Sequence, residues 1–113
     1  MKNNNSPESE RRYKRCPINS YIDLFYVHKR YLGKTVEISQ GGILVMSDYA
    51  FEPRSRLSVY FNIKDQVFHA RAEVIYTIQH PIKKRQYMIG LVFLDRSYHK
   101  NDMIQKFVFE SSK

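Results

Sequence analysis

The sequence predicts an all-β domain, an antiparallel barrel or sandwich followed by one C-terminal helix. Three observations predict it. The apolar residues are rich in Val, Ile, Tyr and Phe, with no Trp, and these residue types fit a pleated, half-buried surface. Two segments alternate between apolar and polar positions, which marks a strand with one buried face. Turn-forming residues separate the apolar runs at short intervals, as in small sandwiches and barrels.

The elements follow in order. Residues 1–10 (MKNNNSPESE) are polar, contain Pro7 and have no apolar residue after Met1, so they read as a disordered lead-in. Four basic residues then fall within five positions, Arg11-Arg12-Tyr13-Lys14-Arg15. Cys16 reads as a small apolar side chain at a strand start. Tyr21 to Val27 is the first long run of aromatic and branched residues, and Leu32-Gly33-Lys34 reads as the turn into Thr35 to Ile38. Gly41-Gly42 marks a second corner, left by the run Ile43 to Met46.

A polar loop, Glu52 to Arg56, leads to Leu57, Val59, Phe61 and Ile63, four apolar residues at every second position. Lys64-Asp65-Gln66 makes the next turn. Phe68, Ala70, Ala72, Val74 and Tyr76 then share one predicted buried side, with His69, Arg71 and Glu73 on the other. The paired alanines suit a tightly curved wall. Pro81 to Arg85 is a basic loop, and Tyr87 to Leu94 is the last strand. In Asn101 to Phe109, Ile104 and Val108 are four apart, as are Met103 and Phe107, giving one apolar stripe on a helix. The chain of 113 residues has room for one domain, expected over residues 11–110, and a short tail.

Composition narrows the chemistry. A formal charge of +8, from 19 Lys and Arg against 11 Asp and Glu, favours polyanionic partners: nucleic acid, nucleotide phosphates or an anionic membrane surface. Cys16 is the single cysteine, so no internal disulfide can form, as expected in a reducing compartment. No stretch approaches the roughly 20 apolar residues of a membrane span, and no apolar leader opens the chain. A cytoplasmic location is expected. The histidines His28, His69, His80 and His99 lack metal-ligand spacing, Ser39 lacks a nucleophile-elbow context, and no phosphate-cradling P-loop occurs. An enzyme is not expected.

Two patterns can bind a ligand. In Arg11-x-x-x-Arg15, with Arg12 and Lys14 inside it, planar guanidiniums can fork onto phosphate oxygens or the O6/N7 edge of guanine. In Glu37-Ile38-Ser39-Gln40-Gly41-Gly42, a carboxylate and a hydroxyl two apart on a strand face one side. The glycines let the backbone turn and approach a ligand closely. A carboxylate is a natural acceptor for the N1–H and N2–H donors of guanine. Taken alone, each pattern reads better as a solvated basic segment or as a tight turn with Ser39 as its local cap.

Together, Arg11, Arg15, Glu37, Ser39 and Gly42 on an all-β pattern make the chain resemble the PilZ domain family. The run Glu37 to Val45, the strand Ala70 to Tyr76, the ending Ile89 to Leu94 and the closing helix fall in that family's order, covering roughly Arg11 to Phe109. The resemblance implies a six-stranded antiparallel β-barrel with a C-terminal α-helix that binds cyclic di-GMP as its ligand, without a further cofactor. Arg11 and Arg15 would clamp phosphate and guanine edges, with Arg12 beside them. Glu37 and Ser39 would hold a base or phosphate, and Gly42 would shape the turn. Binding would order the N-terminal segment and present a surface to a protein partner.

The family pattern has Asp or Asn where this chain has Glu37, which keeps the acceptor but extends it by one C–C bond, about 1.5 Å. Glu10 adds a negative charge beside the arginines. These departures raise a second reading, a PilZ-like adaptor that binds protein and not nucleotide. A third, a small basic barrel for single-stranded nucleic acid, leaves the glycine turn without a role.

Overall fold

A computed structural model describes residues 15–94. The expected lead-in, Arg11, Arg12 and the helix expected at 101–109 lie outside the described residues. Within them the chain forms seven strands: β1 (Cys16–Pro17), β2 (Tyr21–Tyr26), β3 (Lys29–Ile38), β4 (Gly42–Ser47), β5 (Arg56–Ile63), β6 (Gln66–Gln79) and β7 (Tyr87–Phe93). No helix among them is long and apolar enough to cross a membrane.

Every pairing is antiparallel. β3 pairs with β2, β2 with β5, β5 with β6, β6 with β7 and β7 with β4, and β4 returns to β3. Six strands thus close a barrel, so among the described residues each of these six has a partner strand on both sides. β1 adds a short bridge beyond the end of β2, with Cys16 opposite Ile38 and Pro17 opposite Glu37.

Alternation builds the interior as expected. Leu57, Val59, Phe61 and Ile63 are buried, and so are Phe68, Ala70, Ala72 and Val74. Ala70 pairs with Val59 and Ala72 with Leu57, so small residues lie beside larger ones on the neighbouring strand. Ile22, Leu24, Ile38, Ile43, Val45, Ile89, Leu91 and Phe93 complete the core, with buried Cys16 beside them. One barrel end is filled by rings: Phe51, 1% exposed, meets Tyr26, Tyr31 and Tyr49 at centroid distances of 5.7, 5.0 and 4.7 Å. The buried Thr35 hydroxyl accepts from Ser20 N at 2.8 Å and lies 3.0 Å from Ser20 O as a donor, tying the β1–β2 connection to β3.

Two expectations are corrected. The first corner is not at Leu32-Gly33-Lys34. Those residues lie inside β3, and the chain reverses instead at Val27-His28, between the paired residues Tyr26 and Lys29. Val27 and His28 have φ of 50° and 64°, the left-handed conformation that a tight two-residue hairpin requires. Gly33 serves packing: a Cβ there would sit 2.9 Å from Met46 O and 3.2 Å from Ile22 Cγ2. The second hairpin, Lys64-Asp65, was expected and has φ of 48° and 68°.

Tyr76 is the other correction. It does not continue the buried face of β6, because the register with β7 slips between Val74 and Tyr76. The extra residue reverses the alternation. Ile75 and Tyr76 are 54% and 40% exposed, and Thr77 turns inward, its hydroxyl donating to Phe51 O at 2.6 Å. A matching slip in β3, between Thr35 and Glu37, turns Glu37 outward after the inward Thr35.

Candidate functional site

The two bulges frame one cleft on the barrel's outer wall. It holds about 460 Å³, and its lining includes Arg15, Glu37, Ser39, Gly41, Gly42, Leu44, Ile75, Tyr76 and Gly90. The strand register explains why. Glu37 pairs with Leu44, Leu44 with Gly90 and Gly90 with Tyr76, so these four residues form one row across β3, β4, β7 and β6. At about 4.8 Å per strand the row runs roughly 14 Å along the sheet. A bulge stands immediately before each end of it.

At the β3 end, the bridge β1 brings Arg15 to the cleft. Its Nη1 donates to Glu37 Oε1 at 3.2 Å, with the side chains 50% and 30% exposed. A pair this open to solvent contributes at most about 1 kcal/mol. It therefore leaves both groups able to exchange partners. Arg15 is the only cation lining the cleft among the described residues.

The turn from β3 to β4 is held by its own backbone. Ser39 N donates to Gly42 O at 2.9 Å, Gly41 N donates to Ser39 Oγ at 3.3 Å, and Phe93 N donates to Gly41 O at 2.9 Å. Ser39 thus caps the turn locally while facing the cleft. No described glycine has positive φ. Gly42 is required for a different reason: a Cβ there would run into Leu91 O and lie 3.2 Å from Leu91 C and Val92 Cα. Its hydrogen lets β4 and β7 close at the cleft floor.

Of the six residues predicted from sequence, the structure brings Arg15, Glu37, Ser39 and Gly42 to this cleft, while Arg11 and Arg12 lie outside the described residues. The β6–β7 side of the wall was missed: Ile75 and Tyr76 on β6 and Gly90 on β7. A Cβ on Gly90 would strike the Tyr76 ring, so the ring rests in the space that glycine leaves. Two bulky residues side by side in β6, breaking its alternation, were the available signal.

A wider groove of about 620 Å³ lies elsewhere, lined by Tyr21, Lys29, Lys34, Tyr49 and others. Lys29 Nζ is 5.2 Å from the Tyr31 ring centroid and Lys34 Nζ is 5.4 Å from that of Tyr21. It contains none of the residues predicted for ligand binding. Among the described residues no group of His, Cys, Asp and Glu could hold a metal ion. His69 stacks on Tyr60 with centroids 4.2 Å apart, and His80 Nδ1 accepts from Ile82 N and Lys83 N at 3.1 and 3.0 Å, so both have local structural uses. His99 lies outside the described residues.

No curated protein matches the chain in sequence. Solved structures do match in fold. A PilZ domain of YcgR from Escherichia coli with c-di-GMP shares 18% identity, covers 90% of this chain and 91% of that one, and superposes with a TM-score of 0.75. The Bacillus subtilis inhibitor of motility MotI/DgrA shares 14% identity over 90% of this chain, with a TM-score of 0.81. The K. pneumonia MrkH–c-di-GMP complex shares 18% identity over 88% of it, with a TM-score of 0.77. This chain spans 51% of each of the latter two chains. The family model described as the PilZ domain matches residues 9–110. With that match over nearly its whole length and the six-stranded barrel beneath it, this chain belongs to the PilZ domain family.

Proposed function

We propose that the chain is a cyclic di-GMP-sensing module whose ligand occupies the cleft between the β3–β4 turn and the β6 bulge. The observation that carries this reading is the meeting of Arg15, Glu37, Ser39 and Gly42 on one outer wall. Those residues are remote from one another only at the Arg15 end, and β1 closes that gap by pairing with β3. A guanidinium there can exchange the Glu37 carboxylate for a phosphate oxygen or a guanine edge. Glu37 then becomes an acceptor for guanine N–H donors, and Ser39 Oγ lies beside it. Arg11 and Arg12 would supply the further positive charge that a doubly charged ligand needs. The solved structures of the YcgR PilZ domain with c-di-GMP and of the MrkH–c-di-GMP complex support the choice of ligand.

In this reading the arginine segment orders over the ligand and the altered surface is read by a protein partner. The chain senses and does not catalyse, and it works in the cytoplasm. Calorimetric titration with cyclic di-GMP tests the ligand. Binding by the wild type is expected, with Arg15→Ala weakening it by at least tenfold, since a hydrogen bond to a charged group is worth about 1.5–3 kcal/mol. Absence of heat for the wild type at high micromolar ligand would sink the proposal. One observation favours a second reading, a protein adaptor that takes no nucleotide: the Arg15 guanidinium already has a carboxylate partner in Glu37. Wild-type affinity below micromolar would exclude it.

A further inference from the structure

We propose that the β6–β7 loop is a contact for an anionic lipid bilayer, with Ile82 entering the interface and Lys83, Lys84 and Arg85 meeting lipid phosphates. This contact is separate from the cleft and does not depend on its ligand. Charge is the first reason. From Val74 to Leu94 the chain has no Asp or Glu, and Lys83-Lys84-Arg85 stand together within that stretch. All three are exposed, and none joins an ion pair among the described residues. Cations without a carboxylate partner keep their full attraction for an external anion. Each one near an anionic leaflet favours binding about fivefold, so three together give on the order of 100-fold.

The shape of the loop supplies the apolar part. The pairing of β4 with β7 ends at Ser47–Tyr87 and that of β6 with β7 at Gln79–Tyr87, so residues 80–86 stand beyond the paired strands. Hydrogen bonds nonetheless fix their backbone. His80 N donates to Gln86 O at 2.8 Å, Gln86 N to Lys83 O at 2.9 Å and Gln79 Nε2 to Lys84 O at 2.7 Å. His80 Nδ1 holds the amides of Ile82 and Lys83. Ile82 thus sits on a pre-shaped loop and is 82% exposed, more than any other large hydrophobic residue described. A loop already shaped loses little freedom on binding. Ile78, 58% exposed, continues the apolar surface along β6. Nucleic acid offers an isoleucine no counterpart to the stacking that aromatic rings use. The boundary between headgroups and acyl chains takes an aliphatic side chain while neighbouring cations meet phosphates. A bilayer also accepts a projecting loop without a preformed pocket.

Co-sedimentation of the full chain with vesicles tests the contact. Vesicles of equal parts phosphatidylglycerol and phosphatidylcholine should bind it, and phosphatidylcholine alone should not. Added salt should weaken the binding by screening. Replacing Lys83, Lys84 and Arg85 together by Gln should reduce affinity on the order of 100-fold. Lys29→Gln with Lys34→Gln, in the wider groove, should reduce it far less. Ile82→Ser should cost about tenfold, the lower end of what burying an isoleucine gives. The chain has no Trp, so Ile82→Trp adds a single indole reporter whose emission should shift to the blue on anionic vesicles, whereas that of Tyr21→Trp should not. The loop side chains replaced are all exposed, so these variants keep the core intact. Absence of binding to anionic vesicles overturns the proposal. Binding that the triple variant retains also overturns it, by placing the contact on another basic segment. Binding with unshifted Ile82→Trp emission overturns it as attraction by charge alone, and so does binding of single-stranded RNA where anionic vesicles fail. None of these outcomes bears on the cyclic di-GMP reading, which calorimetry decides.

Discussion

Substituting Gly42 by Ala should cost the protein both stability and ligand affinity, and the structure sets the scale. The added Cβ would meet Leu91 O, with Leu91 C and Val92 Cα at 3.2 Å. All three are backbone atoms of β7, so none can swing aside as a side chain could. β4 would have to move off β7 at the pair Gly42–Val92. Inserting one carbon into a packed site costs about 1–3 kcal/mol. The loss of backbone freedom in the unfolded chain returns about 0.4–1 kcal/mol. A net destabilisation of about 1–2 kcal/mol remains, which lowers Tm by roughly 5–15 °C in a domain of this size.

Affinity should fall too, because the moving segment carries the Ser39 N to Gly42 O hydrogen bond that sets the turn. Thermal and urea unfolding measure the first effect, and cyclic di-GMP titration of the folded variant measures the second. Gly90→Ala is the comparison: there the added carbon meets the Tyr76 ring, a side chain that can rotate away. It should lose less stability than Gly42→Ala. A Gly42→Ala protein melting within 2 °C of wild type, or above it, would refute the close-approach argument.

Two further outcomes follow from the fold. Val27 is β-branched and held at φ of 50° with His28 at 64°, conformations that cost non-glycine residues about 1–3 kcal/mol each. Val27→Asn with His28→Gly should therefore raise Tm and leave affinity unchanged, as neither residue lines the cleft; a lowered melting temperature would contradict the hairpin assignment. Thr35→Val keeps the shape but removes the partner of Ser20 N, so urea unfolding should show a loss of about 1–3 kcal/mol, and an unchanged midpoint would count against that tie.

Much of the barrel was legible because one face of each strand is buried. In β5 and the first part of β6 the two-residue period translates directly into burial, the alanine pair included. Glu37 and Ser39 were expected on one side, and both line the cleft. The losses share a physical cause: local geometry that residue chemistry did not announce. Val27-His28 carries no turn-forming residue, and its left-handed backbone is imposed by the ladders on either side. Gly33 drew the turn to itself although its role is to let β3 pass close to Met46 and Ile22.

The bulge before Tyr76 inserts one residue and flips the face, and the adjacent bulky pair Ile75-Tyr76 was its one mark in the sequence. Gly42 was expected for the turn, yet the need for it arises on β7, far along the chain. Net charge was the least local guide. It pointed to an anionic ligand, but among the described residues the lysines that flank a groove stand around Tyr21 and Tyr31, and the predicted cleft contains only Arg15.

The most direct measurement is a map of amide shifts in uniformly ¹⁵N-labelled protein as cyclic di-GMP is added. If the outer-wall cleft is the site, saturable shifts concentrate on Glu37, Ser39, Gly41, Gly42, Tyr76 and Gly90. Residues of the wider groove, such as Lys29, Gly33 and Tyr49, should stay in place. Shifts confined to the wider groove, or none at all at saturating ligand, would contradict the account.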